Sequence, residues 1–389
     1  MVRTNQQSEG LSVAGLFAGI GGIELGLHAS GHHTELVNEI WEPARTVLES
    51  HFGGVDLIPD VRDIERLPKV DLVSAGFPCQ DLSQAGGTAG ISGSNSGLVG
   101  EVFRLIEPDN APEWLLLENV PFMLRLDRGE AMTFLTTTLD SMGYAWAYRV
   151  VDTRAFGLPQ RRKRVLLLAS RVHDPREVLF VGSEEPREAD PDDQTAFGFY
   201  WTEGLRGLGW GISCVPTLKG GSGLGIPSPP AIWMPDGSLV TPDIRDAERL
   251  QGFDADWTQP ADELPKSRAG NRWKLVGNAV SVPLSTWVGQ RLLDPKRYEF
   301  AGDDVLQEDD SWPTAAWGID GKAHRADMSE WPVSMPYVGL ADFLEYPVKP
   351  LSERAASGFL SRAERSGLRF VESFLDDVAV HIESLREAF

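Results

Sequence analysis

Apolar residues in the first 170 positions gather into short continuous runs, and between these runs the apolar positions recur at helical spacing. Residues 12–17, 35–38, 71–75, 114–118 and 164–170 read as buried strands rich in Val and Leu. Residues 22–30, 43–51 and 130–142 read as amphipathic helices, and the same period returns at 282–292. Strands alternating with helices predict an α/β fold, a doubly wound and mostly parallel sheet covered by helices.

The pattern changes after residue 182. SEEPREADPDD, residues 183–193, is an acidic, proline-containing run with the character of a linker. Beyond it, PTLKGGSGLGIPSPPAIWMPDG at 216–237 has little period of either kind. Loop-dense stretches of this sort are frequent binding surfaces. A second linker-like run, EFAGDDVLQEDD at 299–310, precedes a tail with three tryptophans in 311–332. Residues 352–378 then read as an amphipathic helix with a basic first half. The chain has no internal repeat.

Charge sharpens the division. The formal net charge is −21, from 36 Lys and Arg against 57 Asp and Glu, which argues against a nonspecific nucleic-acid coat. Residues 194–291 stand apart, with nine bases against nine acids. No run of about 18 apolar residues occurs and residues 1–10 are polar, so the expectation is a soluble, cytoplasmic protein without a membrane partner. Two cysteines, Cys79 and Cys214, make no disulfide framework, and the seven histidines show no ligand spacing, so no metal is expected.

Cys79 is the residue out of place. It follows the strand-like run 71–75 and sits behind Pro78 in GFPCQDLSQAGG, among small and polar neighbours, where a thiol is exposed to react. Glu118 and Asn119 end the run 114–118, and strand C-termini in open α/β sheets line one ligand crevice. GLPQRRKRV leads into the run 164–170, and strand alternation puts Arg162 and Arg164 on one face. Thiol, carboxyl and arginine together suit attack on an electron-poor ring. Adding a thiolate to C6 of cytosine makes C5 nucleophilic, provided N3 is protonated or hydrogen-bonded as charge builds.

The glycines of LFAGIGGIELGL lie where strand turns into helix, a place where a ligand can approach backbone. Glu24 stands where a dinucleotide fingerprint needs its third glycine, which disfavours a pyrophosphate and leaves room for an adenosyl ligand without phosphates. Glu39 ends the second strand, placed to accept from ribose hydroxyls. On these residues alone a close-packed turn beside a surface acid fits as well.

In this order the motifs resemble those of the DNA (cytosine-5)-methyltransferases of prokaryotes and phages. FAGIGG resembles the family's S-adenosylmethionine loop, which implies cofactor contacts from Phe17, Ala18, Gly19, Ile20, Gly21 and Gly22. NEI implies Glu39 and Ile40 at the ribose side, and PDVRDI implies Asp60 and Val61 beside the adenine. GFPCQ resembles the nucleophile motif: Cys79 attacks, Pro78 borders the cofactor, and Gln80 and Ser83 face DNA. ENV implies that Glu118 handles N3, and QRRKRV that Arg164, with Arg162 nearby, contacts the base or supports the acid. RDAERLQGF and VGNAVSVPL resemble the last two blocks, the latter returning the chain to the cofactor domain through Asn278, Ala279 and Val280.

The resemblance runs over residues 11–292. It implies a Rossmann-like catalytic domain of 11–182 plus 275–292, a target-recognition domain of 194–274 and a C-terminal extension of 293–389 without assigned role. Residues 197–240 correspond to the recognition region, with Thr217, Leu218 and Lys219 expected at the DNA. The implied reaction is methyl transfer from S-adenosylmethionine to C5 of cytosine in a specific duplex sequence, on an extruded base. The implied setting is restriction–modification or phage defence, with a monomeric enzyme and a restriction endonuclease on another chain. One departure is Asn95 in SGSNSGL, where the family carries an arginine. A tRNA-methylating enzyme or a silent DNA-binding regulator on the same scaffold are the alternatives; intact Cys79, Glu118 and Arg164 count against the second.

Overall fold

The computed structural model describes residues 10–77, 97–106, 108–187, 190–220, 227–264, 270–299, 303–307 and 309–387. They divide into two compact units. The first holds residues up to 152, 163–186 and 280–333, and the second holds 153–162, 187–279 and 334–389.

The first unit is built on one nine-stranded sheet. Its strands are β1 (Ser12–Leu16), β2 (His33–Asn38), β3 (Asp56–Ile58), β4 (Leu72–Ala75), β5 (Trp114–Asn119), β6 (Ala145–Asp152), β7 (Lys163–Ser170), β8 (Ala315–Ile319) and β9 (Lys322–Arg325). Their spatial order is β9-β8-β6-β7-β5-β4-β1-β2-β3. The run from β3 to β5 is parallel, and each pairing from β5 outward to β9 is antiparallel. Helices α1 (Gly22–Ala29), α2 (Glu42–His51), α3 (Gly97–Leu105), α4 (Glu130–Ser141) and α5 (Val282–Leu293) belong to the same unit. Continuous apolar runs form the central strands because both faces are covered: every residue of β4 and β5 is buried. α5 packs on α1, and Gly26 makes this possible, since a Cβ there would lie 2.5 Å from Ser285 Cβ.

Two strands of this sheet escape a reading by apolar runs. β6 mixes Trp146, Tyr148 and Arg149 into an almost fully buried segment. Arg149 is tolerated there because its guanidinium donates to the carbonyls of Ser329 at 2.8 Å and Leu179 at 3.1 Å; burial alone brings its pKa down to about 10. The hairpin β8–β9 turns through Asp320 and Gly321, both at positive φ, and adds to the edge at β6.

The second unit carries a five-stranded antiparallel sheet in the order Gly211–Ile212, Phe197–Phe199, Ala231–Trp233, Leu239–Thr241 and Lys349–Pro350. Helices Glu353–Ala363 and Phe374–Glu387 cover it through Phe359, Phe374, Val378 and Ile382, which share a core with Phe199 and Trp233. The expected single helix over 352–378 is thus two. The first stops at Ala363, whose carbonyl accepts from Ser366 Oγ at 2.7 Å, and Ser373 at φ +69° immediately precedes the second.

These contacts correct the expected domain boundaries. Residues 293–389 are no separate extension: the stretch up to 333 completes the first sheet, and 334–389 completes the second unit's core. The tryptophans explain the first half. Trp331 is buried, Trp312 Nε1 donates to Gly129 O at 3.1 Å, and Arg176 stacks 4.0 Å over the Trp317 ring. Residues 153–162 likewise leave the first unit, because Val215–Pro216 pairs with Gln160–Arg161.

Candidate active site

In the first unit the C-terminal ends of β1 to β5 converge. Phe17 leaves β1 at φ +55°, and Gly19 and Gly21 follow at +59° and +82°, so the turn into α1 is left-handed at three of five positions. Gly21 N–H donates to Ala18 O and Ala18 N–H to Asn38 O, both at 2.9 Å, tying the loop to the end of β2. A Cβ at Gly19 would meet nothing within 4 Å, so the loop presents bare backbone to open space. Glu39 sits beside it, its carboxylate accepting from Gly19 N–H at 2.9 Å and Trp41 N–H at 2.8 Å. Burial raises its pKa, and these two N–H groups pull the other way. Ile40 is 64% exposed, an apolar side chain set at the rim of the loop.

Glu24, which stands in place of a third fingerprint glycine, packs on the sheet. It is 1% exposed and turned onto the sheet, where a Cβ on Gly15 would lie 2.2 Å from its Oε1 and Ser74 Oγ donates to it at 3.2 Å. Burial lifts its pKa to about 7. At the end of β3, Asp60 accepts from Arg62 N–H and Arg62 Nε at 3.0 and 2.9 Å, which holds its pKa down to about 2. Val61, expected beside the cofactor, is buried in the core of the unit.

At the neighbouring strand ends stands a buried ion pair: Arg164 Nε lies 2.7 Å from Glu118 Oε1, with both side chains about nine-tenths buried. Glu118 reaches it from the last turn of β5, and Arg164 from the start of the antiparallel β7. The other carboxyl oxygen, Oε2, faces Gly76, where an added Cβ would come within 3.4 Å. Asn119 is a site residue that spacing alone did not assign. Its Nδ2 donates to Phe77 O at 3.0 Å, pinning the backbone two residues before Cys79. An Asn119→Ala substitution is therefore expected to lower kcat about 10-fold with the KM for cofactor unchanged, since it frees the strand end that aims the next residues. Steady-state kinetics check this, and an unaltered kcat removes the role. Pro78, Cys79, Gln80, Ser83 and Asn95 lie outside the described residues.

Arg162 takes its partners from other residues than Arg164 does. β7 starts at Lys163, and Arg162 belongs to the second unit, fully buried, donating to the carbonyls of Leu218 at 3.3 Å, Gly277 at 3.2 Å and Ala279 at 2.6 Å. Gln160 Nε2 donates to Leu250 O at 2.8 Å while its Oε1 accepts from Leu218 N–H at 3.0 Å. Buried polar side chains thereby knit the residues 217–219 to helix Asn271–Asn278. Gly277 is needed for this contact, because a Cβ there would lie 2.3 Å from Gly220 N. Thr217 Oγ1 donates to Arg161 O at 2.8 Å, and Lys219 extends outward over the Tyr200 ring, with Glu203 at 2.7 Å. Leu218, expected at the DNA, is 2% exposed and belongs to the core. Asn278 is exposed at the end of its helix, followed by buried Ala279 and, back in the first unit, Val280. No cluster of three His, Cys, Asp or Glu with metal-binding geometry occurs among the described residues.

The family model described as C-5 cytosine-specific DNA methylase matches residues 11–197. The type II methyltransferase M2.BsuMI of Bacillus subtilis (strain 168) is 50% identical over 383 residues, which cover 95% of this chain and 97% of that protein. The type II methyltransferase M.Bsp6I of Bacillus sp. (strain RFL6) is 28% identical, over 72% of this chain and 98% of its own. Among solved structures, the S. pombe Dnmt2 methyltransferase superposes with a TM-score of 0.53 at 18% identity, covering 73% of this chain and 98% of that one; it shows the fold alone.

Proposed function

The chain belongs to the C-5 cytosine-specific DNA methylase family, and on that premise we propose that it moves a methyl group from S-adenosylmethionine to C5 of cytosine through a covalent bond from Cys79 to C6. It is a type II DNA cytosine-5-methyltransferase with a Rossmann-like fold. The observation that carries the finer reading is the buried Glu118–Arg164 pair, set one strand away from the segment that runs through Gly76 and Phe77 into Cys79.

S-adenosylmethionine, when bound, supplies an electrophilic methyl group. The loop 17–22 suits it, with bare backbone at Gly19, the Glu39 carboxylate for ribose hydroxyls and the exposed Ile40 for a flat ring. The Cys79 thiolate adds to C6, and the electron pair of the C5–C6 bond becomes available at C5. Glu118 donates to N3 as negative charge collects there, and Arg164 fixes the carboxyl that does so. After C5 is methylated, its proton leaves to a base, the sulfur–C6 bond breaks, and the ring is restored. Arg162 serves this chemistry indirectly, by holding the segment that ends in Lys219.

Duplex DNA is the substrate class, and residues 197–240 are the proposed readers of its sequence. The type II names of the relatives support a restriction–modification or defence setting, with the endonuclease on another chain. The enzyme is proposed to act as a monomer in the cytoplasm, reaching the nucleoid through DNA; no helix among the described residues is long and apolar enough to cross a membrane.

Bisulfite sequencing of DNA from a host without 5-methylcytosine tests the reading. Expression should mark one recurring sequence, and replacing residues 197–240 by those of another family member should move the mark to a different sequence. Unmodified DNA from folded protein overturns the reaction. An unchanged mark after the exchange removes recognition from this segment.

A further inference from the structure

We propose that the first C-terminal helix, Glu353–Ala363, and the segment after it extend the DNA-contacting surface, with Arg206, Arg365 and Arg369 binding phosphates that flank the methylated site; this rests on the reading of the chain as a DNA methyltransferase. The link is a series of direct contacts within the second unit. Tyr200 Oη donates to Thr217 O at 2.5 Å, and Lys219 Nζ lies 2.7 Å from Glu203. From the other side Arg362, on helix Glu353–Ala363, donates to Glu203 O at 2.8 Å and Trp201 O at 2.7 Å. Residues 200–207 are thus clamped between Thr217–Lys219 and the tail helix. Gly204 N–H donates to Gly207 O at 2.9 Å, closing a turn that rests on Phe359 and carries Arg206 into solvent.

The charge of this surface runs against that of the chain. Residues 200–207, 217–220 and 353–372 hold six Lys and Arg against four Asp and Glu, in a protein of net charge −21, whereas the second helix, Phe374–Glu387, holds four acids against Arg386 and lies outside the proposed contact. Glu353 is already occupied by Arg386 at 2.8 Å and Glu203 by Lys219. Arg206, Arg365 and Arg369 are exposed and point away from the shared core. Exposed arginines beside a recognition segment, in a chain of strong net negative charge, fit a phosphate backbone. They position the duplex without reading its sequence.

The test compares equilibrium binding of a duplex bearing the modified sequence across about 50 to 200 mM salt. The variant Arg206→Ala/Arg365→Ala/Arg369→Ala should lose about 10-fold or more in affinity and flatten the log–log salt slope by roughly 2 to 3. The pair Arg365→Ala/Arg369→Ala, which leaves residues 197–240 intact, should keep the kcat at saturating DNA and the methylated sequence of the unaltered protein. A control that removes the same charge from the first unit, Lys69→Ala/Arg171→Ala/Lys322→Ala, should change the slope by less than about one. Trimming the flanks of the duplex should weaken the unaltered protein and leave the tail variant unaffected. Equal slopes for the variant and the unaltered protein, an equal drop in the control, or indifference of the unaltered protein to flank length each overturn the proposal while methylation persists. Absence of DNA methylation by the unaltered protein overturns the enzymatic reading first, and this surface with it.

Discussion

Cys79→Ala is expected to abolish methyl transfer, with the single-turnover rate falling on the order of 10³-fold or more, while S-adenosylmethionine still binds. Cytosine C5 is a weak nucleophile within an aromatic ring. Without sulfur on C6, nothing on the protein can raise the electron density at C5 enough to attack the methyl group. A hydrogen bond from Glu118 to N3 withdraws density from the ring, which eases addition at C6 but cannot by itself make C5 nucleophilic. A duplex with 5-fluorocytosine at the target isolates the step, because fluorine on C5 leaves no proton to remove and strands the adduct. The unaltered protein should give a denaturant-stable protein–DNA band, and Cys79→Ala none. Turnover of more than a few per cent in the variant removes Cys79 from the mechanism.

Much of the first unit is legible in the chain because its strands are buried on both faces and need no partner to be recognised. β4 and β5 read as continuous apolar runs, and both are buried throughout. β6 is hidden because its aromatic and arginine side chains are satisfied by distant carbonyls, among them that of Ser329, which no local pattern reveals. The hairpin β8–β9 and the helices of 334–389 are hidden for a related reason. Their apolar faces are completed by residues over a hundred positions away, as Phe359 and Phe374 are by Phe199.

The candidate site divides in the same way. Glu118, Arg164 and the glycine turn can be named from spacing, since strand ends and left-handed turns are local features. Arg162, expected on one strand face with Arg164, precedes the strand, which starts at Lys163, and the chain changes unit there. Leu218, expected at the DNA, and Val61, expected beside the cofactor, mislead through their neighbours: both are core. Burial, which sequence gives only on average, decides each case.

Glu118→Gln is expected to slow turnover about 10²-fold or more while leaving DNA and cofactor affinity close to unaltered. Glutamine keeps the length and can still face Arg164, so the loss reports the proton and charge of the carboxyl. Arg164 should act through that same group. Arg164→Lys keeps a cation but gives up the planar Nε geometry that lies 2.7 Å from Oε1, and a loss of about 10-fold is expected. Alanine is a poorer probe there: it leaves a buried carboxylate without its cation, which costs roughly 3 to 5 kcal/mol of stability and blurs any effect on rate. If the arginine works by orienting the acid, Arg164→Lys should cost little once Glu118 is already glutamine. The double-mutant cycle on kcat then closes with a large coupling. Additive losses instead place Arg164 directly on the base, and a Glu118→Gln enzyme of near-normal kcat takes the carboxyl out of the reaction.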